Sequence, residues 1–296
     1  MRCMCFVLLS LLALGCSWAY AAETPVAPEV RIFKGDDPSL DGIDLGNWGS
    51  GTAAKSKEQI LDGSWSIKIT TQGLYAGGRM DFTRPVTLFS GGVDKGRYVQ
   101  FAFFFPKDTK VVNPALGTDY YSDIEPYTIP PANKIRFVFI SDAGESIAVE
   151  EPTCKLDPDD NWMRVAVPLI KLKTSDDVTD FRLKRLLVMT DVPTTLALGE
   201  MKLVTDSSPI KVEALSTQSV IITEQVLWVA EANGGVSSLK YSWDFDAVNG
   251  TQRESTGMIG RYIYLRGGTF TITLTVSDVD GVKTPVNVVT TVDVND

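Results

Sequence analysis

The 296-residue chain contains no histidine. That removes the Ser-His-Asp and Cys-His nucleophile arrangements, the imidazole general base and nearly every zinc or iron site built on imidazole. Cysteine is almost as scarce where it would count. Cys3, Cys5 and Cys16 lie near the start, and Cys154 stands alone in the body of the chain. A single thiol closes no internal disulfide, so Cys154 reads as a small packed side chain and stability must come from apolar burial. Helical periodicity is nearly absent; Lys55–Leu61 is the one stretch that predicts a turn or two of helix. No basic cluster with interleaved aromatics is present, which argues against a nucleic-acid partner. There is no twelve-residue EF-hand loop, no tandem repeat and no low-complexity tract.

What is present begins with a leader pattern. Arg2 precedes an apolar run from Phe6 to Leu14, followed by Ala19-Tyr20-Ala21. A charged start, a short apolar stretch and a small-residue box predict a signal peptide over residues 1–21 and export of the remainder. A membrane-spanning helix needs about 20 apolar residues, which this segment barely reaches. A second processing pattern, Ala13-Leu14-Gly15-Cys16, resembles a bacterial lipoprotein box; lipidation at Cys16 would tether the protein to a membrane, and cleavage at Ala21 would release it. The charge balance is 28 Lys plus Arg against 37 Asp plus Glu, a net of −9 that becomes −10 once Arg2 is removed. An acidic exported chain suits solubility or divalent-ion association, but charge alone selects no partner.

Beyond the leader, residues 30–206 carry many short strand signals separated by Gly, Pro and Asp turns. The clearest are Val30–Phe33, Ser64–Thr71, Arg79–Thr83, Arg97–Phe105, Ile135–Ser141, Trp162–Leu169, Arg185–Thr190 and Thr195–Val204. Many strands at short spacing with almost no helix predict an all-β antiparallel jelly-roll sandwich. Ser207-Ser208-Pro209 is the natural seam before a second unit over 209–296. There Phe270, Ile272, Leu274 and Val276 alternate with Thr269, Thr271, Thr273 and Thr275, a strand with one buried and one wet face. Tyr241, Trp243 and Phe245 alternate in the same way. Tyr262-Ile263-Tyr264 and the Gly267-Gly268 turn complete the pattern of a smaller Ig-like β-sandwich.

Two resemblances follow from these motifs. Trp243/Phe245, Tyr262/Tyr264, the Gly268–Val276 strand and the Asp278–Gly281 turn resemble, in order, the marks of the PKD domain, an extracellular Ig-like spacer and binding unit. The first unit is similar to the galactose-binding-like jelly roll of many carbohydrate-binding modules. Asp41-Gly42 and Trp48 precede LDGSWSIKI at 61–69 as in the opening of such modules. Asn161–Leu169 resembles their W-x-x-V-x-V-P-L strand, and Thr195–Val204 their closing strand. That closing strand often carries an Asp that helps hold a structural calcium; Glu200 occupies the comparable place here.

The candidate ligand contacts are aromatic. Segment 113–131, NPALGTDYYSDIEPYTIPP, is long for a sandwich connection, and long structured loops are often functional. Tyr120, Tyr121 and Tyr127 lie there among Asp119, Asp123 and Glu125, a composition suited to stacking on a pyranose while carboxylates accept its hydroxyl protons. The competing reading is an Ω-type loop whose tyrosines pack back on the sandwich. Trp48 in LGNWGSG and Tyr75 in QGLYAGGR are two further candidates, each bracketed by glycines and each readable instead as a plug over the core. Trp65 and Trp162 read as core residues of their strands. Acidic turns, including Asp278 and Asp280, are calcium candidates, although the Asp-Gly pair at 280–281 is explained by hairpin geometry alone.

These readings converge on a secreted, non-catalytic binding protein. Its expected partner is a polysaccharide or cell-surface glycan, recognised on a concave sheet face or by the 113–131 loop, with the PKD-like unit as spacer. The alternative is a structural or adhesive surface protein that uses both sandwiches to contact other envelope or extracellular proteins. A carboxylate hydrolase or lyase is the third reading, since a glycosidase needs only two suitably spaced acids. No cofactor other than calcium is expected.

Overall fold

The computed structural model describes residues 27–106, 110–112, 127–153, 161–250 and 253–296. The first unit contains β1 (Val30–Phe33), β2 (Ile43–Trp48), β3 (Thr52–Ser56), β4 (Ser66–Gln72), β5 (Gly77–Phe89), β6 (Arg97–Phe104), β7 (Lys110–Val112), β8 (Tyr127–Ile129), β9 (Lys134–Ser141), β10 (Ser146–Pro152), β11 (Trp162–Pro168), β12 (Phe181–Thr190) and β13 (Pro193–Thr205). The second contains β14 (Lys211–Val212), β15 (Gln218–Ile221), β16 (Gln225–Val229), β17 (Ala232–Asn233), β18 (Leu239–Asp244), β19 (Ser255–Thr256), β20 (Ile259–Ile263), β21 (Gly268–Asp278) and β22 (Val286–Asn295). No α-helix occurs among the described residues; Leu169–Leu172 form one 3₁₀ turn. The helix expected over Lys55–Leu61 is absent. Thr52–Ser56 instead pair antiparallel with Ser66–Thr70, and Ala53 goes into the core. The gain from pairing and burial outweighs the weak helical preference of a short polar stretch.

Two sheets face each other in the first unit. One runs β11-β6-β13-β4-β3, with β1 also on β13; the other runs β10-β9-β12-β5-β2. All their pairings are antiparallel. The core between them is rich in phenylalanine, because alternate positions of β6 and β9 point inward. Phe101 and Phe103 meet Phe137 and Phe139, with Phe101 and Phe137 stacked at 4.5 Å between ring centres. All four are fully buried, each worth about 1.5–3 kcal/mol in area removed from water. Ile135, Phe137, Phe139 and Ser141 face this core, so Lys134, Arg136, Val138 and Ile140 face outward. Trp65 and Trp162 correct the sequence reading. Both are only half-buried: Lys55 and Lys57 lie over the Trp65 ring, and Trp162 lies edge-on to Phe104 on the outer surface.

The second unit carries its own core. Trp243 and Phe245 are fully buried and join Trp228, Tyr262, Tyr264 and Phe270 in a continuous aromatic stack. Two polar tips are satisfied by backbone: Trp243 Nε1 donates to Gly257 O at 2.9 Å and the Tyr264 hydroxyl to Phe245 O at 2.8 Å. Gly260 is required here, since a Cβ at that position would come within 2.7 Å of the Trp243 ring. The alternation read in 269–276 is realised: Phe270, Ile272, Leu274 and Val276 are buried while Thr269 and Thr271 are exposed.

The second unit docks on the outer face of the β11-β6-β13 sheet. Tyr98, Ala166 and Val204, which would otherwise be exposed, pack with Val236 and Val282. Tyr98 is fully buried and shares a hydrogen bond with Ser237 Oγ at 3.1 Å. Asp206 and Lys283, both nearly buried, pair at 2.6 Å. Burial alone would raise the Asp206 carboxyl, but the hydrogen bond from Lys283 and the N–H groups of Val236 and Ser208 outweigh it and hold it below its ordinary value. Among the described residues, no hydrophobic cluster of the second unit packs on the outer face of the other sheet.

Candidate functional site

The register fixes what stands on that uncovered face. Inward residues Ile43, Met80, Leu186 and Phe139 define one set of positions, and the intervening residues define the outer surface. Across β2, β5, β12, β9 and β10, one outward row reads Trp48, Gly77, Met189, Arg136 and Glu150. The next reads Gly46, Arg79, Leu187, Val138 and Ala148, and the third Asp44, Asp81, Arg185, Ile140 and Ser146.

Two sequence candidates meet at one edge of this surface. Trp48 is the last residue of β2, opposite Gly77, and is 38% exposed. Tyr75 sits in the tight loop before β5 and is 77% exposed, yet its ring is not loose. The Arg136 guanidinium lies 5.1 Å from the ring centre, so the ring spans β12 to reach β9. A cation over a tyrosine face at this distance is worth about 0.5–1 kcal/mol at an exposed site. The Trp48 and Tyr75 loops also touch: a Cβ on Gly49 would lie 3.5 Å from Tyr75 O and 3.1 Å from Ala76 Cβ. Gly49 itself has φ of 60°, a conformation that glycine adopts freely. Gly77 lets the strands close up, since a Cβ there would collide with Val188 O at 2.0 Å.

The rest of the surface is ion-paired. Arg79 Nε and Arg185 Nε share Asp81 at 3.0 and 2.5 Å, and Arg182 meets Asp142 at 3.1 Å. Lys134 holds Glu150 at 2.7 Å, while Arg136 stands 3.8 Å from the same carboxylate. The result is a surface with an aromatic edge and planar donors beside acceptors, while Leu187 and Met189, though on its outward rows, are nearly fully buried. That combination can stack a sugar ring and bond its hydroxyls.

The other candidates fall elsewhere. Tyr120 and Tyr121 lie outside the described residues, and Tyr127 opens β8, paired with Val112. Glu200 points to the opposite, partly covered face. There Arg164 reaches it at 2.6 Å and Lys202 at 3.4 Å, so two cations already occupy the place in which calcium was expected. Asp278 is fully buried and accepts the N–H groups of Val282 and Lys283 at 2.7 and 3.1 Å, fastening its own turn. Asp280 faces the first unit, where Lys171 bridges it to Glu151. Among the described residues no three potential ligands gather to hold a metal ion.

The Glu151–Lys171–Asp280 group is nonetheless unusual. Both carboxylates are buried, and they share one lysine. Burial, with Asp280 nearby and against the pull of Lys171, raises the Glu151 carboxyl to about 7; burial also raises Asp280. Its place between the two units makes it a docking contact rather than an open site.

Sequence reasoning missed Arg136, Arg79, Asp81, Glu150 and Met189. The alternation in Lys134–Ile140 marked Arg136 as outward, but which strands would flank it depends on pairings far apart in the chain.

Comparison with known proteins gives three results. No curated protein matches the chain. Among solved structures, the family 30 carbohydrate-binding module of a cellulosomal cellulase from Clostridium thermocellum aligns at 13% identity, over 62% of this chain and 100% of that one, with a TM-score of 0.36. The CBM22-1-GH10 modules of xylanase 10B from the same organism, complexed with xylohexaose, align at 12% identity over 60% of this chain and 30% of that one, TM-score 0.33. Its family 11 module, in complex with a mixed-linked tetrasaccharide, aligns at 8% over 55% and 89%, TM-score 0.30. The second unit is placed by sequence: residues 206–294 match the PKD domain family.

Proposed function

We propose that this protein is a non-catalytic polysaccharide-binding protein, exported by its N-terminal leader, and that the uncovered face of the β10-β9-β12-β5-β2 sheet is its binding surface. The observation that carries this reading is the pair Trp48 and Tyr75, exposed side by side at the edge of a sheet face lined with guanidinium and carboxylate groups. Exposed aromatics stack on the C–H faces of pyranose rings, and fixed planar ion pairs offer hydroxyls both donors and acceptors. The alternating outward rows repeat along the strands, which suits a chain of sugars better than one. Binding rather than cleavage fits the acids present. Asp44 stands beside Asp81, whose carboxylate is shared by Arg79 and Arg185, and Glu150 is held by Lys134. The described residues of this face thus show no pair of unengaged acids of the kind that glycosidic cleavage requires. The PKD-like unit, docked behind the opposite sheet, acts as a spacer that leaves this face outward.

The test is affinity electrophoresis of the chain from Ala22 onward through gels containing soluble plant, algal and bacterial polysaccharides, with Trp48→Ala/Tyr75→Ala alongside. Retardation by one class, lost in the double variant while its circular dichroism is unchanged, is the expected result. Free migration through every gel would refute the reading and favour a protein-contact role.

A further inference from the structure

Three guanidinium groups of the outer face are ion-paired at short range, although Arg79 Nε, like Arg136 Nε, is buried without a hydrogen-bond partner. Arg79, Arg182 and Arg185 each lie within 3.1 Å of a carboxylate. Arg136 differs. Its nearest carboxylate, Glu150, is 3.8 Å away, beyond hydrogen-bond reach, and already bonded to Lys134 at 2.7 Å. Its buried Nε has no hydrogen-bond partner. Backbone and packing give it little freedom: it stands opposite Met189 and Glu150 on neighbouring strands, with the Tyr75 ring across its plane. A partly buried guanidinium with an unpaired donor and no carboxylate in hydrogen-bond reach is costly unless something accepts from it. It sits next to the aromatic edge where a sugar ring would stack.

We infer that Arg136 is a receptor for a carboxylate on the ligand, so that the polysaccharide recognised here is acidic, built from or bearing uronate residues. The inference rests on the reading of this face as a saccharide surface. In it, the uronate ring stacks on Tyr75 while its C6 carboxylate takes the fork of Arg136, the planar two-point match that arginine makes better than lysine. Lys134 keeps Glu150 neutralised as a pair, which limits its repulsion of the incoming anion. Charge-assisted hydrogen bonds of this kind set an expected discrimination of about 10- to 100-fold between the acidic polymer and its uncharged counterpart.

The experiment compares polymers that differ only in charge. Full-length mature chain is titrated calorimetrically with polygalacturonate, alginate and glucuronoxylan, with their methyl-esterified forms, and with neutral glucan, galactan and xylan. Arg136→Gln and Arg136→Lys are titrated in parallel after their melting curves are shown to match wild type. The expected result is binding to at least one uronate polymer, weakened about tenfold or more by methyl esterification and by Arg136→Gln, with Arg136→Lys in between and added salt reducing the preference. A sulfated galactan, titrated alongside, that binds the protein as well as the uronate polymer does would show an anion receptor indifferent to carboxylate and would overturn the uronate assignment. Binding to neutral polymers that Arg136→Gln leaves unchanged would overturn the inference and leave the saccharide surface standing. Binding to none of these polymers would overturn both.

Discussion

The two outward faces of the first sandwich have opposite fates. On the β11-β6-β13 side, apolar and charged residues have found partners within the chain. Tyr98, Ala166 and Val204 lie under Val236 and Val282, Lys283 closes on Asp206, and Arg164 and Lys202 share Glu200. On the β10-β9-β12-β5-β2 side, Trp48 and Tyr75 remain exposed and the buried Arg136 Nε has no hydrogen-bond partner. A sheet needs only one buried face to fold, so the other is available for another use. Here one spare face fixes the second unit in place, and on the other the exposed Trp48 and Tyr75 stand beside ion-paired side chains. Among the described residues the difference is the lack of a partner from the second unit, not a difference in residue type, since both faces carry aromatics and ion pairs.

Breaking the covered face should cost most. Lys283→Ala leaves Asp206 buried without its cation, and loss of one partner of a buried pair costs about 3–5 kcal/mol. Urea denaturation should show that loss, and Trp48→Ala should not.

The same interface predicts a pH dependence. Glu151 is raised to about 7 from an ordinary value of 4.5, and Asp280 is raised as well. A carboxyl with a raised folded-state value favours folding while it is protonated in both states. Its contribution is therefore full below about pH 4.5, declines above that and is gone once the pH passes about 7. The span corresponds to about 3 kcal/mol as an upper bound for Glu151. Chemical denaturation between pH 5 and 8 should show stability falling as pH rises, and Glu151→Gln should flatten the profile.

The open face should respond in binding instead of stability. Trp48→Ala and Tyr75→Ala are each expected to weaken polysaccharide binding about tenfold, near the upper end of what one aromatic contact supplies. Their melting temperatures should stay close to wild type. Smallest of all is Arg164→Ala, which removes a half-exposed charge from the covered side and should change stability by less than about 0.5 kcal/mol.

Legibility in the sequence followed the range of the interactions. The PKD-like sandwich could be read because Phe270–Val276 and Trp243/Phe245 alternate within single strands, and period two is a local signal. Trp48 and Tyr75 could be picked out as glycine-bracketed aromatics. That they meet depends on β2 pairing with β5, and that Arg136 reaches Tyr75 depends on β9 lying one strand further across. Trp65 and Trp162 misled because strand position alone does not say which face is covered; Trp162 alternates onto the outer side, with Arg164 as its neighbour on that face. Glu200 matched a calcium position by order along the chain, but Arg164 and Lys202 come to it from cross-strand and same-strand places that spacing does not reveal.

The most direct test of the account sets one face against the other in a single titration. Wild type, Trp48→Ala and Arg164→Ala are titrated with the polysaccharide that retards the protein most in affinity electrophoresis. Binding lost in Trp48→Ala and kept in Arg164→Ala is the predicted result. Equal affinity for all three, or loss only in Arg164→Ala, would contradict the assignment of the open sheet as the binding face.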